Sequence, residues 1–202
     1  MVDNTVVISE TGHCNDGVIT QQHVTIQEVK GNLLDPNVAT GTDAKGDTSG
    51  FYNDNVSQGH SIISTIEEAY SGNRSIKYIS KGYGGARTVI YLKPHMIYTS
   101  QIMVKSISGT PLRTWFCANH YHGDNPTGET HKDATATGDW QKITNTITTI
   151  NGGFYMFTFG IELSTGGTVY GDSLQVEEGS TATDWKYPSI GPESESLVVK
   201  PK

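Results

Sequence analysis

The stretch YGDSLQVEEGSTATDWKYPS, Tyr170–Ser189, decides how the rest of the chain is read. An aromatic and an acidic residue lead into alternation, and a doubled glutamate, a glycine, a threonine cluster and a tryptophan follow. Period-two alternation predicts a strand with one buried face. Gly179 then allows a turn that a side chain would hinder. Trp185 beyond it and Trp140 at the start of another strand are expected as lids on the sandwich ends, shielding apolar area. Such an ending reads as the closing strand of a β-sandwich and its cap.

The same alternation recurs upstream in RTVIYL (Arg87–Leu92), MIYTSQIMVKS (Met96–Ser106), PLRTWFCANHYH (Pro111–His122), WQKITNTITTI (Trp140–Ile150) and FYMFTFGIEL (Phe154–Leu163), and the closing strand itself is expected over TVYGDSLQVEE (Thr168–Glu178). Gly, Pro, Asn and Asp punctuate the junctions, as in SGTP, GDNPTG and STGG. IISTIEEAY (Ile62–Tyr70) has some helical look, but its β-branched residues favour a strand. Many short strands without a helical stretch among them predict an all-β fold, a two-sheet antiparallel β-sandwich or jelly roll. The composition agrees: 23 glycines and 25 threonines against only 17% charged residues suit strands and turns. The expected core domain spans 31–188. Residues 1–30 carry two alternating pieces, NTVVIS and GVITQQHVTIQEV, too short for a core of their own, and read as a β-rich arm for assembly or docking. Asp35–Asn55 reads as a long polar loop, and 189–202 as an extended tail.

A net charge of −7 with no run of Lys or Arg argues against nucleic-acid binding. No apolar run reaches the ~20 residues of a membrane span, and the first residues lack the basic and apolar regions of a secretory signal. Cys14 and Cys117 are too few and too far apart for a disulfide framework or a zinc motif. There is no Gly-x-Ser-x-Gly elbow, Walker loop or His-Glu-x-x-His helix, so the chain is not expected to be an enzyme. Glu177 and Glu178 do not change this: adjacent strand residues point to opposite faces and cannot flank one glycosidic bond together. One exposed and one paired carboxylate is the expectation.

Five pieces in order carry a resemblance: NLL at Asn32–Leu34, SGNRSIKY at Ser71–Tyr78, LKPHMIYTSQIMVKS, GDWQKITNTIT and VYGDSLQVEEGSTATDW. Together, from Asn32 to about Pro188, they resemble the carbohydrate-binding-module jelly rolls of the family 4/9/22 type, especially those of bacteriophage tail and receptor-binding proteins. The resemblance implies a non-catalytic binder of host cell-surface polysaccharide, carried on a virion with other virion proteins as partners through the arm. It also fits a homo-oligomer, a trimer among the options. Release by lysis would need no signal peptide; a secreted location is the alternative. Two other functions stay open, a purely structural decoration or baseplate subunit and the binding module of a glycoside hydrolase. The resemblance further implies that the counterpart of Asp172 helps hold a structural calcium between the first and last strands. One carboxylate plus backbone carbonyls would have to supply the six to eight oxygens such an ion takes, and Ser173 stands where the family often has a second Asp. A turn cap is the other reading of Asp172.

WFCANHYHGD (Trp115–Asp124) is the most chemically loaded strand. Alternation puts Trp115, Cys117, Asn119 and Tyr121 on one face and Phe116, Ala118, His120 and His122 on the other. Aromatic faces for pyranose C–H groups, ringed by planar amide and carboxyl groups for the hydroxyls, are what sugar recognition needs, and Trp115, Asn119 and Tyr121 form the candidate site. Tyr83, in KGYGGAR, is expected on a loop at the same rim. Two readings of Trp115 stay open, a sugar platform or a core filler. His120 and His122, with His131, make a weaker metal-binding alternative.

Overall fold

The computed structural model describes residues 32–34, 36–41, 52–53, 59–118 and 128–186. They hold a one-turn helix, α1 (Pro36–Ala39), and ten strands: β1 (Tyr52–Asn53), β2 (Ser61–Thr65), β3 (Ser75–Ser80), β4 (Gly84–Leu92), β5 (Ile97–Ser106), β6 (Pro111–Ala118), β7 (Glu129–Thr135), β8 (Gln141–Thr148), β9 (Gly153–Ile161) and β10 (Gly167–Glu178). Two five-stranded sheets form, β1-β4-β9-β6-β7 and β2-β3-β10-β5-β8, with antiparallel pairing throughout. The all-β, two-sheet antiparallel sandwich expected from the alternation is the fold observed. The arm expected over 1–30 and the tail over 189–202 lie outside the described residues.

Alternation explains the core. Phe116, Tyr155, Phe157 and Phe159 from the first sheet and Ile76, Tyr78, Tyr98 and Ile102 from the second are fully buried between the layers. Phe116 meets Tyr155 and Phe157 edge to face at centroid distances of 6.5 and 6.3 Å, the geometry that aromatic quadrupoles favour. The buried phenols find polar partners. Tyr98 Oη accepts from the Lys93 amide at 3.0 Å, Tyr155 Oη donates to the Asn151 carbonyl at 3.0 Å, and Tyr78 Oη meets His60 Nδ1 at 2.5 Å.

Strand β10 shows how one residue can re-phase a strand. Val169 and Gly171 face the core, and so do Leu174 and Val176, a spacing that strict alternation cannot give. A bulge between Asp172 and Gln175 inserts the extra residue, with Ser173 at φ 53° in the left-handed region. Gly171 has no side chain because the Phe159 ring fills the space: a Cβ there would lie within 3 Å of three ring carbons. The first segment is stitched to this strand by Asn32, whose Nδ2 donates to the Leu174 carbonyl at 2.9 Å and whose Oδ1 accepts from the Val176 amide at 3.1 Å. Leu33 N donates to the Val176 carbonyl at 2.8 Å.

Three local expectations are corrected. The polar stretch Asp35–Asn55 contains α1 and β1. The Ile62–Tyr70 segment is a strand only to Thr65; beyond it the chain turns, with Glu67 N donating to Thr65 Oγ1 at 3.1 Å. β7 went unforeseen, because ETHKDAT is an edge strand whose charges and hydroxyls hide any apolar alternation.

Candidate functional site

The face of the first sheet turned away from the core carries the candidate site. Along β6, Leu112, Thr114 and Phe116 are buried inward, while Arg113, Trp115 and Cys117 are partly exposed on the outer face. Phe116 fills the core and Trp115 does not, which sets aside the core-filler reading of Trp115. Cross-strand register places Thr158 and Arg87 in the same row as Trp115 on one side and His131 on the other. The next row along holds Cys117, Met156, Val89 and Glu129, and beyond it Tyr91 and Phe154 meet edge to face at 5.5 Å.

Trp115 is held by its neighbours. The Arg113 guanidinium lies over the indole, 5.5 Å from the ring centroid. Arg113 Nε and Nη2 donate to Asp133 Oδ1 and Oδ2 at 2.5 and 3.0 Å, a bidentate fork, and Nη1 lies 3.3 Å from Glu162 Oε2. The hydrogen bonds from Arg113 hold the Asp133 carboxyl below its ordinary range. Beside this cluster, towards the start of β6, is a hollow of about 310 Å³ lined by Pro111, Arg113, Asp133, Thr135 and Glu162 among others. Deeper in the face, Arg87 is 7% exposed and donates from Nη1 to Met156 Sδ at 3.2 Å. Burial pushes the Cys117 thiol up to about 11, with Glu129 adding to it, so this sulfur is a poor nucleophile at neutral pH.

Other candidate residues are placed differently. Asn119, Tyr121, His120 and His122 lie outside the described residues. Tyr83 is exposed on the turn before β4. Gly84 pairs with Ile161, which pairs with Leu112 near the start of β6, whereas Ala118 pairs with Tyr155 near the other end of the sheet. Tyr83 therefore sits at the Arg113 end and away from the rim where β6 finishes, a correction to the shared-rim expectation. The glycines after it serve the packing: a Cβ on Gly84 would overlap the Tyr78 hydroxyl, and one on Gly85 the Thr158 side chain and the Phe159 carbonyl across the β4–β9 pair.

Asp172, 2% exposed, accepts from the Tyr70 and Ser71 amides on Oδ2 at 2.8 and 2.9 Å and from the Ser173 amide on Oδ1 at 2.5 Å. The Ser173 hydroxyl approaches the same Oδ1 at 3.4 Å. Burial pushes its carboxyl above the ordinary range, and these donors pull it partly back. An oxygen cage needs lone pairs free for the ion, and those of Asp172 are directed at N–H and O–H groups. Among the described residues no three His, Cys, Asp or Glu gather as a metal site. The described residues at Asp172 do not fit calcium.

The glutamates diverge as expected, but neither is exposed. Glu177, 5% exposed, accepts from the Thr183 hydroxyl at 2.9 Å and its amide at 2.5 Å, while Glu178 Oε1 lies 3.6 Å from Lys93 Nζ. Gln101 Nε2 donates to the Thr183 carbonyl at 2.9 Å and the Lys186 amide to Gln175 Oε1 at 2.9 Å. The segment after Gly179 is thereby laid on the outer face of the second sheet, so Trp185 lies over that face and not at a sandwich end. Trp140 packs on Tyr70 at 6.0 Å, beside the turn that Asp172 caps.

No family model matches the chain, and no curated protein matches its sequence. Solved structures do match in fold. The chain is similar to the CBM22-1 xylan-binding domain of Paenibacillus barcinonensis Xyn10C, at 17% identity and TM-score 0.53, over 68% of this chain and 91% of that one. It is similar to a CBM4 structure, at 16% identity and TM-score 0.54, over 72% and 100%. It is also similar to the CBM22-1–GH10 modules of Clostridium thermocellum xylanase 10B complexed with xylohexaose, at 15% identity and TM-score 0.53, over 69% of this chain and 28% of that one. The fold is that of carbohydrate-binding-module β-sandwiches.

Proposed function

We propose that the protein is a non-catalytic polysaccharide binder and that the outer face of the first sheet is its binding surface. The observation that carries this reading is Trp115, which alternation directs outward while Phe116 fills the core, and which is fixed among hydrogen-bonding side chains. An indole face stacks on pyranose C–H groups, and polar side chains beside it can take hydroxyls. Around Trp115, among the described residues, the carboxylates of Asp133, Glu162 and Glu129 stand beside the cations Arg87, Arg113 and Lys132, a near balance of charge. With a chain charge of −7 this favours a neutral glycan over a uronate-rich one.

The particular setting proposed is a bacteriophage virion component that recognises host surface polysaccharide, supported by the five-piece resemblance in sequence. Binding of this kind is weak per site and gains from many copies on one particle. A second setting, a module of a glycoside hydrolase, is supported by the xylanase neighbour, in which the matching fold is a fraction of a larger enzyme chain. A glycan array followed by titration with soluble neutral and uronate-containing polysaccharides tests the binding reading. Micromolar to millimolar binding of a neutral polymer, lost in Trp115→Ala, supports it; absence of binding across the array contradicts it. Probing purified virions with antibody, against examination of the genes flanking the coding sequence for a hydrolase domain, separates the two settings.

A further inference from the structure

The site in Proposed function needs the Trp115 indole held in one orientation, and backbone alternation alone does not hold it. The only charged group stacked on that ring among the described residues is Arg113, two positions earlier on the same strand. A free arginine would sample many rotamers. This one is fixed from both sides, by the bidentate Asp133 on the edge strand β7 and by Glu162 just after β9. Glu162 is itself placed by its amide, which donates to the Pro111 carbonyl at 3.0 Å. Side chains from β7 and from the residue after β9 therefore hold one guanidinium on β6, and its Cζ lies over the indole at 5.5 Å from the ring centroid.

We infer that Arg113 is a positioning residue for sugar recognition, and that Asp133 and Glu162 hold it there. Its guanidinium covers one face of the Trp115 ring and leaves the opposite face as the stacking surface for a pyranose. This rests on the carbohydrate reading of the same face and adds a side to it: the ligand and Arg113 lie on opposite faces of the indole. Lysine cannot replace arginine here, because an ammonium has no planar fork with which to engage Asp133 and Glu162 together.

The test measures affinity, melting temperature and the near-UV circular dichroism of Trp115, isolated as the difference between each protein and its Trp115→Phe counterpart. The probe is the neutral polysaccharide selected on the array; without one, the dichroism and melting measurements stand by themselves. Arg113→Ala is expected to diminish the Trp115 dichroic band without ligand and to weaken binding roughly 3- to 10-fold, the scale of leaving one side chain to be ordered on binding. Its melting temperature should stay within about 4 °C of the parent, the shift ~1 kcal/mol produces at this size. Arg113→Lys should restore little, and Asp133→Asn with Glu162→Gln should act in the same direction as Arg113→Ala. A Trp115 band and an affinity unchanged in Arg113→Ala overturn the inference, even where Trp115→Ala abolishes binding and so upholds the sugar site. Binding unaffected by Trp115→Ala instead overturns the sugar site itself, while a band lost in Arg113→Ala still upholds the positioning of the indole.

Discussion

Replacing Asp172 by alanine separates an ion clip from a hydrogen-bonded turn. The buried carboxylate receives three backbone amides, from Tyr70, Ser71 and Ser173. A hydrogen bond to a charged group contributes about 1.5–3 kcal/mol net, and a buried donor left unpaired costs ~1–3 kcal/mol. Here the carboxyl is pushed above its ordinary range by burial, so part of that gain is already offset. The amide bonds from Tyr70 and Ser71 are only partly buried, so water replaces some of the lost acceptor in the variant, which offsets more. A loss of about 2–4 kcal/mol remains, some 4–16 °C in melting temperature at roughly 2–4 °C per kcal/mol for a chain of this length. Differential scanning calorimetry of wild type and Asp172→Ala, each with chelator and with added calcium, measures it. The expected result is a large drop on mutation and no response to chelator in either protein. A wild-type melt that falls several degrees with chelator, with Asp172→Ala insensitive to it, would refute the turn-cap reasoning and restore calcium at this residue.

Three further outcomes follow from the packing. Gly171→Ala drives a Cβ into the Phe159 ring and should cost about 1–3 kcal/mol, read by urea denaturation; an unchanged midpoint would mean that the two sheets stand further apart there. Thr183→Val removes the hydroxyl that Glu177 accepts and should make the segment after Gly179 the first site of limited proteolysis, with cleavage elsewhere first counting against the latch. Burial lowers the pKa of His60, so the unfolded chain takes up the proton at higher pH than the folded one. The stability His60 contributes is thus present above its unfolded pKa and lost as pH falls through the folded one. His60→Gln should flatten this part of the pH–stability curve below about 6.5, the ordinary histidine value, and an identical curve in the variant would contradict it.

Much of this architecture was legible because burial and pleat share a period of two. Where one face of a strand is core, as in β5, β6, β8 and β9, the apolar residues mark it and the strand appears in the sequence. β7 lacked that mark because as an edge strand it contributes little to the core. Trp115 was placed on the right face by counting from its neighbours, but whether that face was core or surface depended on Phe116, whose burial only the second sheet decides. The break in β10 did leave a trace: Val169, Gly171, Leu174 and Val176 are spaced two, three and two apart, the mark of a bulge at Asp172–Ser173. The Arg113–Asp133–Glu162 cluster left none. It joins residues 20 and 49 positions apart, and register alone brings them together. The geometry at Asp172 was hidden for the same reason, since two of its three amide donors come from a turn about a hundred residues upstream.

The most direct test of the binding surface is a paired substitution on adjacent residues of β6, with polysaccharide affinity and thermal stability measured on both proteins. Phe116→Ala empties a fully buried site and should cost about 3–5 kcal/mol of stability. Trp115→Ala should leave the melting temperature within about 4 °C of the parent, the shift expected for ~1 kcal/mol, and abolish binding to the neutral polymer. Stability lost with Trp115→Ala, or affinity retained in it, would place the sugar contact on another surface or remove it from this protein's function.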